Sequence, residues 1–167
     1  MTPLLQRLFA SPSAEPAEAP AAEPSATAGL DVRAALGRHL SLRRRLLSCA
    51  NGQCDPSLNA EDLFFDNRCL LGQWLHGPAQ AQWGQHRGFT DLLEQHRMFH
   101  AAASNVVALA RAGRLAQSQD MAHRQLEAFS NGVLRRLNAM KEWEERRAQR
   151  RAQRPSQARF KSASAGE

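Results

Sequence analysis

Tyrosine is absent from this sequence, and its aromatic residues are seven Phe and three Trp. No segment alternates β-branched and polar residues as a half-buried strand does, which argues against a fold built on sheets. No run of eighteen apolar residues occurs, so no transmembrane helix is predicted and no membrane association is expected. The hydrophobic fraction of 43%, much of it alanine, is enough for a modest core. These features predict an all-helical protein.

Cysteine is scarce as well. The three residues Cys49, Cys54 and Cys69 form no even-numbered disulfide framework. The N-terminal residues lack the basic region and long apolar region of a secretory signal. We therefore expect a cytoplasmic protein with reduced thiols. Because Cys49 and Cys54 lack the short Cys-x-x-Cys spacing, we interpret them as ordinary thiols.

Composition divides the chain into three segments. Residues 1–29 are rich in Pro, Ala, Glu and Ser and are predicted to be disordered. Residues 30–145 carry helical periodicity and are predicted to form a bundle domain. Residues 146–167 form an Arg-rich tail, which contributes to the formal net charge of +6.

The apolar periodicity predicts three long helices and a short one, which together suggest a four-helix bundle. The predicted spans are Leu30 to Asn51, residues 67–76 for the short helix, Thr90 to Ala112, and Ser118 to Arg150. Thr90 is the N-cap candidate of the second long helix, and Gly113 follows its end. The third long helix is predicted to bury Met121, Leu126, Phe129, Val133, Leu134, Leu137 and Met140.

A candidate metal site stands out in the second long helix. His96 and His100 are four residues apart, so both imidazoles project from the same helix face. His39 lies among the leucines of the first helix, and Cys69 lies at the start of the short helix. Zinc takes four such ligands in tetrahedral geometry. The alternatives are that the histidines are hydrogen-bonded core residues and that Cys69 is a small buried hydrophobe.

The surrounding sequence resembles a known family over roughly residues 30–140. The run CLLGQWL at 69–75, followed by HRMFHAA at 96–102 and preceded by His39, resembles the chemoreceptor zinc-binding (CZB) domain of bacterial signalling proteins. That family's signature is a Cys-x-x-Gly-x-Trp-hydrophobic segment, an upstream His and a downstream His-x-x-x-His. All these elements are present in order.

The resemblance implies that Zn²⁺ is bound by His39, Cys69, His96 and His100 in a four-helix bundle, with an additional short helix carrying the Cys ligand. It gives Gly72 a close approach to another helix and places Trp74 over the site as well as in the core. We interpret Asp66 as a helix N-cap, the alternative being a partner for a histidine N–H. With four protein ligands, no position is open for a catalytic water, so we do not expect an enzyme.

The chemistry of the site suggests signal transduction or redox sensing. Zinc keeps Cys69 as the thiolate that oxidants attack, so one site can respond to zinc availability or to an oxidant. The sequence contains no Gly-Gly-Asp/Glu-Glu-Phe run and no long heptad array. We therefore expect action through a signalling protein partner, through a homodimer of the kind the family forms, or as a zinc-binding protein in its own right.

Two other functions compete with this one. The tail can bind nucleic acid or an acidic partner through Arg146, Arg147, Arg150, Arg151, Arg154 and Arg159, although nucleic acid is not the partner we expect, because aromatic residues are not interleaved. A di-iron bundle of the hemerythrin type also uses histidines, but it needs bridging carboxylates that the buried faces do not offer. A thiolate ligand favours zinc.

Overall fold

The structure is a computed structural model that describes residues 30–153, except for the side chain of Glu144. Residues 1–29, predicted to be disordered, and residues 154–167 of the tail lie outside the described residues. Residues 30–153 are largely helical and contain no strand, which confirms the all-α class. None of their helices combines the length and the apolar character needed to cross a membrane.

Seven α-helices follow one another along the described chain. Their bounds are Val32–Ala50 for α1, Ala60–Phe64 for α2, Leu70–His76 for α3, Pro78–Trp83 for α4, Arg87–Arg111 for α5, Leu115–Met121 for α6 and Glu127–Gln153 for α7. A π-helical turn at Ala122–Leu126 joins α6 to α7 without a break, so these elements form one long helical segment. The expected three long helices and short helix are all present.

The ends of the long helices follow from local chemistry. Asp31 caps α1 because its Oδ1 accepts a hydrogen bond of 2.9 Å from the Ala34 N–H. Gly52 and Gly113 adopt positive φ angles of 86° and 73°, and they turn the chain just beyond α1 and α5. The predicted N-cap Thr90 is wrong: α5 begins at Arg87, and the Thr90 hydroxyl donates to the carbonyl of Arg87 inside the first turn.

Two short helices were not expected from periodicity. α2 begins at the N-cap Asn59, whose Oδ1 accepts from the Glu61 N–H at 2.9 Å. α4 begins at Pro78, directly after the Gly77 that ends α3. Proline is favoured in the first helical position because it has no N–H to leave unpaired there. Five or six residues are too few for an apolar period to be visible in the sequence.

The core consists of two apolar clusters. The first lies around α3, α4, the start of α5 and the middle of α7, and includes Leu71, Trp74, Leu75, Trp83, Phe89, Leu92, Val133 and Leu137. The second lies around the end of α1, α2, the second half of α5 and the π turn, and includes Leu46, Cys49, Leu58, Phe99, Val106, Val107 and Leu126. Predicted core residues Met121, Phe129 and Met140 are half-buried and pack against these clusters.

The prediction that Cys49 and Cys54 are ordinary thiols is wrong. The two form a disulfide, and Cys49 is fully buried at the end of α1. The physical reason is the turn at Asn51 and Gly52, which reverses the chain as soon as α1 ends and brings Cys54 back to the helix. Of the three cysteines, Cys69 is the free thiol.

Candidate metal centre

A buried polar layer separates the two apolar clusters. Within α5, His96 and His100 follow Leu92 of the first cluster and flank Phe99 of the second. His39 occupies the equivalent level in α1, and Ser130 does so in α7; both are buried. Buried polar groups cost free energy unless they are paired. A polar layer between two apolar clusters therefore indicates a specific role for its side chains.

The chain positions Cys69 at the edge of this layer. Cys69 is the N-cap of α3, and its Sγ accepts a hydrogen bond of 3.2 Å from the Gly72 N–H. A Cβ on Gly72 would lie 1.7 Å from the carbonyl oxygen of Asp66. Gly72 is therefore needed where α3 packs on the backbone of its own preceding loop, and the expectation that it approaches another helix is wrong.

Cys69, His96 and His100 converge on one point. Their donor atoms lie within 4.8 Å of one another, and Sγ of Cys69 is 3.3 Å from Nε2 of His96. The edges of a tetrahedral zinc site with sulfur and nitrogen ligands are about 3.3–3.6 Å long. The Sγ–Nε2 separation already has this length. Sulfur and imidazole donors also suit zinc, so the residues present fit this ion.

A hydrogen bond determines which ring nitrogen of His100 is available to bind a metal. Its Nδ1 lies 2.7 Å from the carbonyl oxygen of Leu63 in α2. A carbonyl can only accept, so Nδ1 carries the proton and Nε2 is left with the lone pair that a metal needs. The ring of His100 is 4.7 Å from the ring of His96. This side chain is therefore oriented as a metal-binding histidine is, by a hydrogen bond on its far nitrogen.

His96 has a similar arrangement with a carboxylate. Its Nδ1 is buried, has no hydrogen-bond partner within the described part of the chain, and is 4.0 Å from Oδ2 of Asp66. The same oxygen lies 2.9 Å from Nε2 of His76, a partly exposed residue outside the predicted ligand set. The interpretation of Asp66 as an N-cap is wrong, because Cys69 caps α3. The alternative interpretation, a carboxylate facing a histidine N–H, agrees with this geometry.

His39 is buried nearby but makes a different contact. Its Nε2 is 3.0 Å from the hydroxyl oxygen of Ser130, and its ring lies 4.2 Å from the ring of Phe99. His39, Cys69 and His100 line the same cavity, whose volume is about 450 Å³. The structure thus brings three of the four predicted ligands together and places the fourth beside them. That His39 is a ligand stays a prediction.

Electrostatics keeps the three imidazoles neutral. Burial, reinforced by the charge that neighbouring histidines would carry, lowers the pKa of His39 to about 4 and that of His96 to about 2. Burial also lowers the pKa of His100, against the opposing effect of the Leu63 hydrogen bond. Neutral imidazole is the form that binds metals.

Cys69 is held as a thiol by the same burial. Desolvation raises its pKa, and the Gly72 N–H opposes that shift only partly. Bound zinc would supply the positive charge that stabilises the thiolate.

The sequence patterns indicate the histidines and the cysteine, but not the groups that hold their side chains in place. Ser130 carried no signal, because a lone serine in a helix is unremarkable. The Leu63 carbonyl belongs to α2, which was not predicted. Trp74 is 4% exposed within the first apolar cluster, so its predicted place in the core is confirmed.

The fold and the site together define a helical domain with a buried Cys–His–His cluster suited to zinc. Residues 39–107 match the chemoreceptor zinc-binding domain family. This match begins at His39 and includes Cys69, His96 and His100, and the resemblance noted in the sequence is thereby confirmed. Residues 39–107 are therefore similar to this family. Searches of curated proteins and of solved structures returned no significant match.

Proposed function

We propose that this protein is a cytoplasmic zinc-binding regulator of bacterial signalling, not an enzyme, which responds to zinc availability or to oxidation of Cys69. The observation that carries the proposal is the convergence of Cys69, His96 and His100 in a buried polar layer. In the proposed site His39 is the fourth ligand. Zinc would hold the loop before α3 against α5, because Cys69 comes from that loop and the two histidines come from α5.

The placement of Cys69 explains how its state would change the structure. It caps α3 and is half-buried in the wall of the 450 Å³ cavity, so a small oxidant can reach it. Hypochlorous acid would transfer its oxygen to the thiolate and release chloride, while the sulfur loses two electrons and becomes a sulfenic acid. The sulfenic acid is a poor zinc ligand, so α3 and its preceding loop would be released from α5.

Transmission to a partner, and assembly as a homodimer, are part of the proposal. Phe64 and Phe65, at the end of α2, are 61% and 45% exposed, and Leu70 at the start of α3 is 36% exposed. These side chains flank the loop that carries Cys69. A movement of that loop would therefore rearrange an exposed apolar surface, which is the type of surface that partner proteins contact.

Metal analysis tests the zinc site directly. We expect purified protein to contain one zinc per chain by mass spectrometry of metals, and Cys69→Ser to lower the zinc content strongly. The matched control is the double variant Cys49→Ser/Cys54→Ser, which removes the other two sulfurs and should retain zinc. A protein that contains no zinc and binds none at micromolar concentration would contradict the proposal.

Zinc release tests the oxidant response. One equivalent of hypochlorous acid should release zinc to a colorimetric chelator, and a later addition of dithiothreitol should restore binding, because sulfenic acids are reducible. The Cys49→Ser/Cys54→Ser variant should respond in the same way. Retention of zinc after Cys69 has been shown to be oxidised by mass spectrometry would contradict the redox part of the proposal while leaving zinc binding intact.

A second function, binding of nucleic acid, rests on the end of α7. Arg146, Arg150 and Arg151 are exposed there, and α7 extends to Gln153. A helix with this charge can contact phosphates, and its affinity for DNA would fall steeply with salt. Titration of DNA at low and physiological salt, with the intact chain and with Arg150→Gln/Arg151→Gln, separates the two functions. Equal binding by both proteins would exclude this use of the arginines.

A further inference from the structure

The carboxylate of Asp66 lies between a buried imidazole of the metal centre and an imidazole at the surface. Its Oδ2 is 2.9 Å from Nε2 of His76 and 4.0 Å from Nδ1 of His96. Asp66 belongs to the loop between α2 and α3, His76 is the last residue of α3, and His96 lies within α5. One carboxylate oxygen therefore connects three elements around the metal centre.

The two contacts of this oxygen are unequal. At 2.9 Å the oxygen accepts a hydrogen bond, and because a carboxylate oxygen only accepts, Nε2 of His76 is the donor. A separation of 4.0 Å is too long for a hydrogen bond to His96. Nδ1 of His96 is buried and has no partner among the described residues, although almost all buried polar groups in native proteins are paired. The carboxylate is thus bonded at the surface and separated from the buried nitrogen.

Nδ1 of His96 is the nitrogen that a metal-binding histidine uses for its support. Nε2 faces the site, 3.3 Å from Sγ of Cys69, so Nδ1 is the nitrogen that carries the proton when Nε2 binds a metal. Such an N–H usually donates to a carboxylate or a carbonyl, which fixes the ring and strengthens the ligand. His100 has this support in the Leu63 carbonyl. For His96, the facing acceptor is Asp66.

A small movement would change the partner of Asp66. The two contact distances, 4.0 and 2.9 Å, differ by about 1 Å, so a shift of this size would bring Oδ2 within hydrogen-bond distance of His96. The side chain of His76 is 41% exposed, so water can replace Asp66 as its partner. Nδ1 of His96 is fully enclosed and has no such replacement. Release from His76 therefore costs less than a missing acceptor at His96.

We propose that Asp66 is a positioning residue of the metal centre and that His76 regulates it. While His76 binds the carboxylate, the N–H of His96 is unpaired and the site holds zinc less tightly. When His76 releases the carboxylate, Asp66 accepts the N–H of His96 and the site holds zinc more tightly. The affinity of a buried site is thereby controlled from the surface. This inference rests on the proposed function, because it concerns the regulation of the same site.

Competition with a chelator measures the zinc affinity of three variants, at about pH 8, where an ordinary imidazole is neutral. We expect Asp66→Ala to bind zinc about 10–100 times more weakly, as when the partner of a histidine ligand is removed. His76→Ala should bind zinc about two- to tenfold more tightly, because one competing hydrogen bond is lost. Glu94→Ala is the control, since this exposed carboxylate of α5 pairs with Arg97, and its affinity should stay unchanged.

Either of two results would overturn the inference: an unchanged affinity in Asp66→Ala, or an affinity in His76→Ala that does not exceed that of the unaltered protein. The proposed function would survive both results if Cys69→Ser still lost zinc. Denaturant unfolding of the metal-free variants shows whether each one folds. If Asp66→Ala does not fold, Asp66→Asn replaces it, because the amide keeps the shape of the side chain and removes the charge.

A resonance of His96 separates positioning from general stability. In zinc-loaded protein labelled with ¹⁵N-histidine, the Nδ1–H of His96 should appear far downfield, because it donates to a carboxylate. Asp66→Asn should move this resonance upfield, since a neutral amide is a weaker acceptor. The Nδ1–H of His100, whose partner is the Leu63 carbonyl, is the internal control and should not move. Two unchanged histidine resonances in Asp66→Asn would overturn the assignment of Asp66 as the partner of His96.

Discussion

Nδ1 of His100 lies 2.7 Å from the carbonyl oxygen of Leu63, so a backbone group of α2 orients a side chain of the metal centre. α2 has five residues and buries none of them completely, and the N-cap Asn59 is its main local support. A helix this short is unstable alone. The orientation of His100 therefore depends on how well α2 is held.

Asn59→Ala should weaken zinc binding without removing a ligand. Loss of an N-cap costs about 0.5–2 kcal/mol of helix stability. We expect α2 to fray as a result and the Leu63 carbonyl to move away from His100. We expect zinc affinity, measured by competition with a chelator, to fall about three- to thirtyfold. Asp31→Ala removes the equivalent cap from α1, far from Leu63, and should have a smaller effect. Identical losses would show that general stability, not α2, controls the site.

Gly72→Ala tests the loop that carries Cys69. The added Cβ would lie 1.7 Å from the carbonyl oxygen of Asp66, so α3 must shift away from its own loop. We expect a loss of about 1–3 kcal/mol in the free energy of unfolding, as for other overpacked sites, together with weaker zinc binding. Gly37→Ala is the control: a Cβ there meets nothing within 4 Å, so α1 should be stabilised by about 0.5–1 kcal/mol. A neutral Gly72→Ala would contradict the packing described here.

The sequence was informative about this molecule wherever the signal is periodic. The spacing of His96 and His100 places them on one helix face whatever else the chain does, and α1 and α5 follow from their apolar stripes. The prediction that Cys69 lies near these histidines depended on the family resemblance, because no local sequence rule places a loop residue beside a distant helix. The Cys49–Cys54 pair escaped prediction because it depends on the turn at Gly52.

The hydrogen bonds around the buried polar layer could not be predicted from local sequence rules either. Asp66 was interpreted as a cap because it precedes a helix by a few residues, yet that helix begins after Cys69, which took the capping role. Ser130 meets His39 across 91 positions of sequence. Such pairs depend on how the helices pack against one another, and that packing cannot be predicted from the local patterns of a single sequence.

Ser130→Ala tests whether His39 is the fourth ligand. Nε2 of His39 is 3.0 Å from the Ser130 hydroxyl, so zinc must compete with that hydrogen bond if it uses this nitrogen. Removing a hydrogen bond of about 1 kcal/mol should raise zinc affinity about fivefold. Ser118→Ala is the matched control, because Ser118 is also fully buried but bonds to the Val106 carbonyl. A lower affinity in Ser130→Ala would indicate that Ser130 supports the site instead of competing with it.

The disulfide between Cys49 and Cys54 is open to a direct count of thiols. In unfolded protein that has not been reduced, an alkylating reagent should label Cys69 alone; after reduction it should label all three cysteines. The chain-entropy model gives about 2 kcal/mol for so short a closed loop, which Cys49→Ser/Cys54→Ser should lose in denaturant unfolding. Three labelled thiols before reduction would contradict the pairing and would restore the expectation of a fully reduced protein.

Acid should destabilise the metal-free protein because the buried imidazoles must stay neutral. The pKa of His39 is lowered to about 4 in the folded state, whereas an unfolded histidine titrates near 6.5. Below pH 6.5 the unfolded chain therefore binds protons that folded His39 does not, so stability is full above that pH and falls down to about pH 4. His39 alone accounts for roughly 3 kcal/mol over this range. Denaturant unfolding of chelator-treated protein at pH 7 and pH 4.5 measures the loss, and His39→Gln should show a smaller one. An equal loss in that variant would assign the acid sensitivity to His96 and His100, whose pKa values are also lowered by burial.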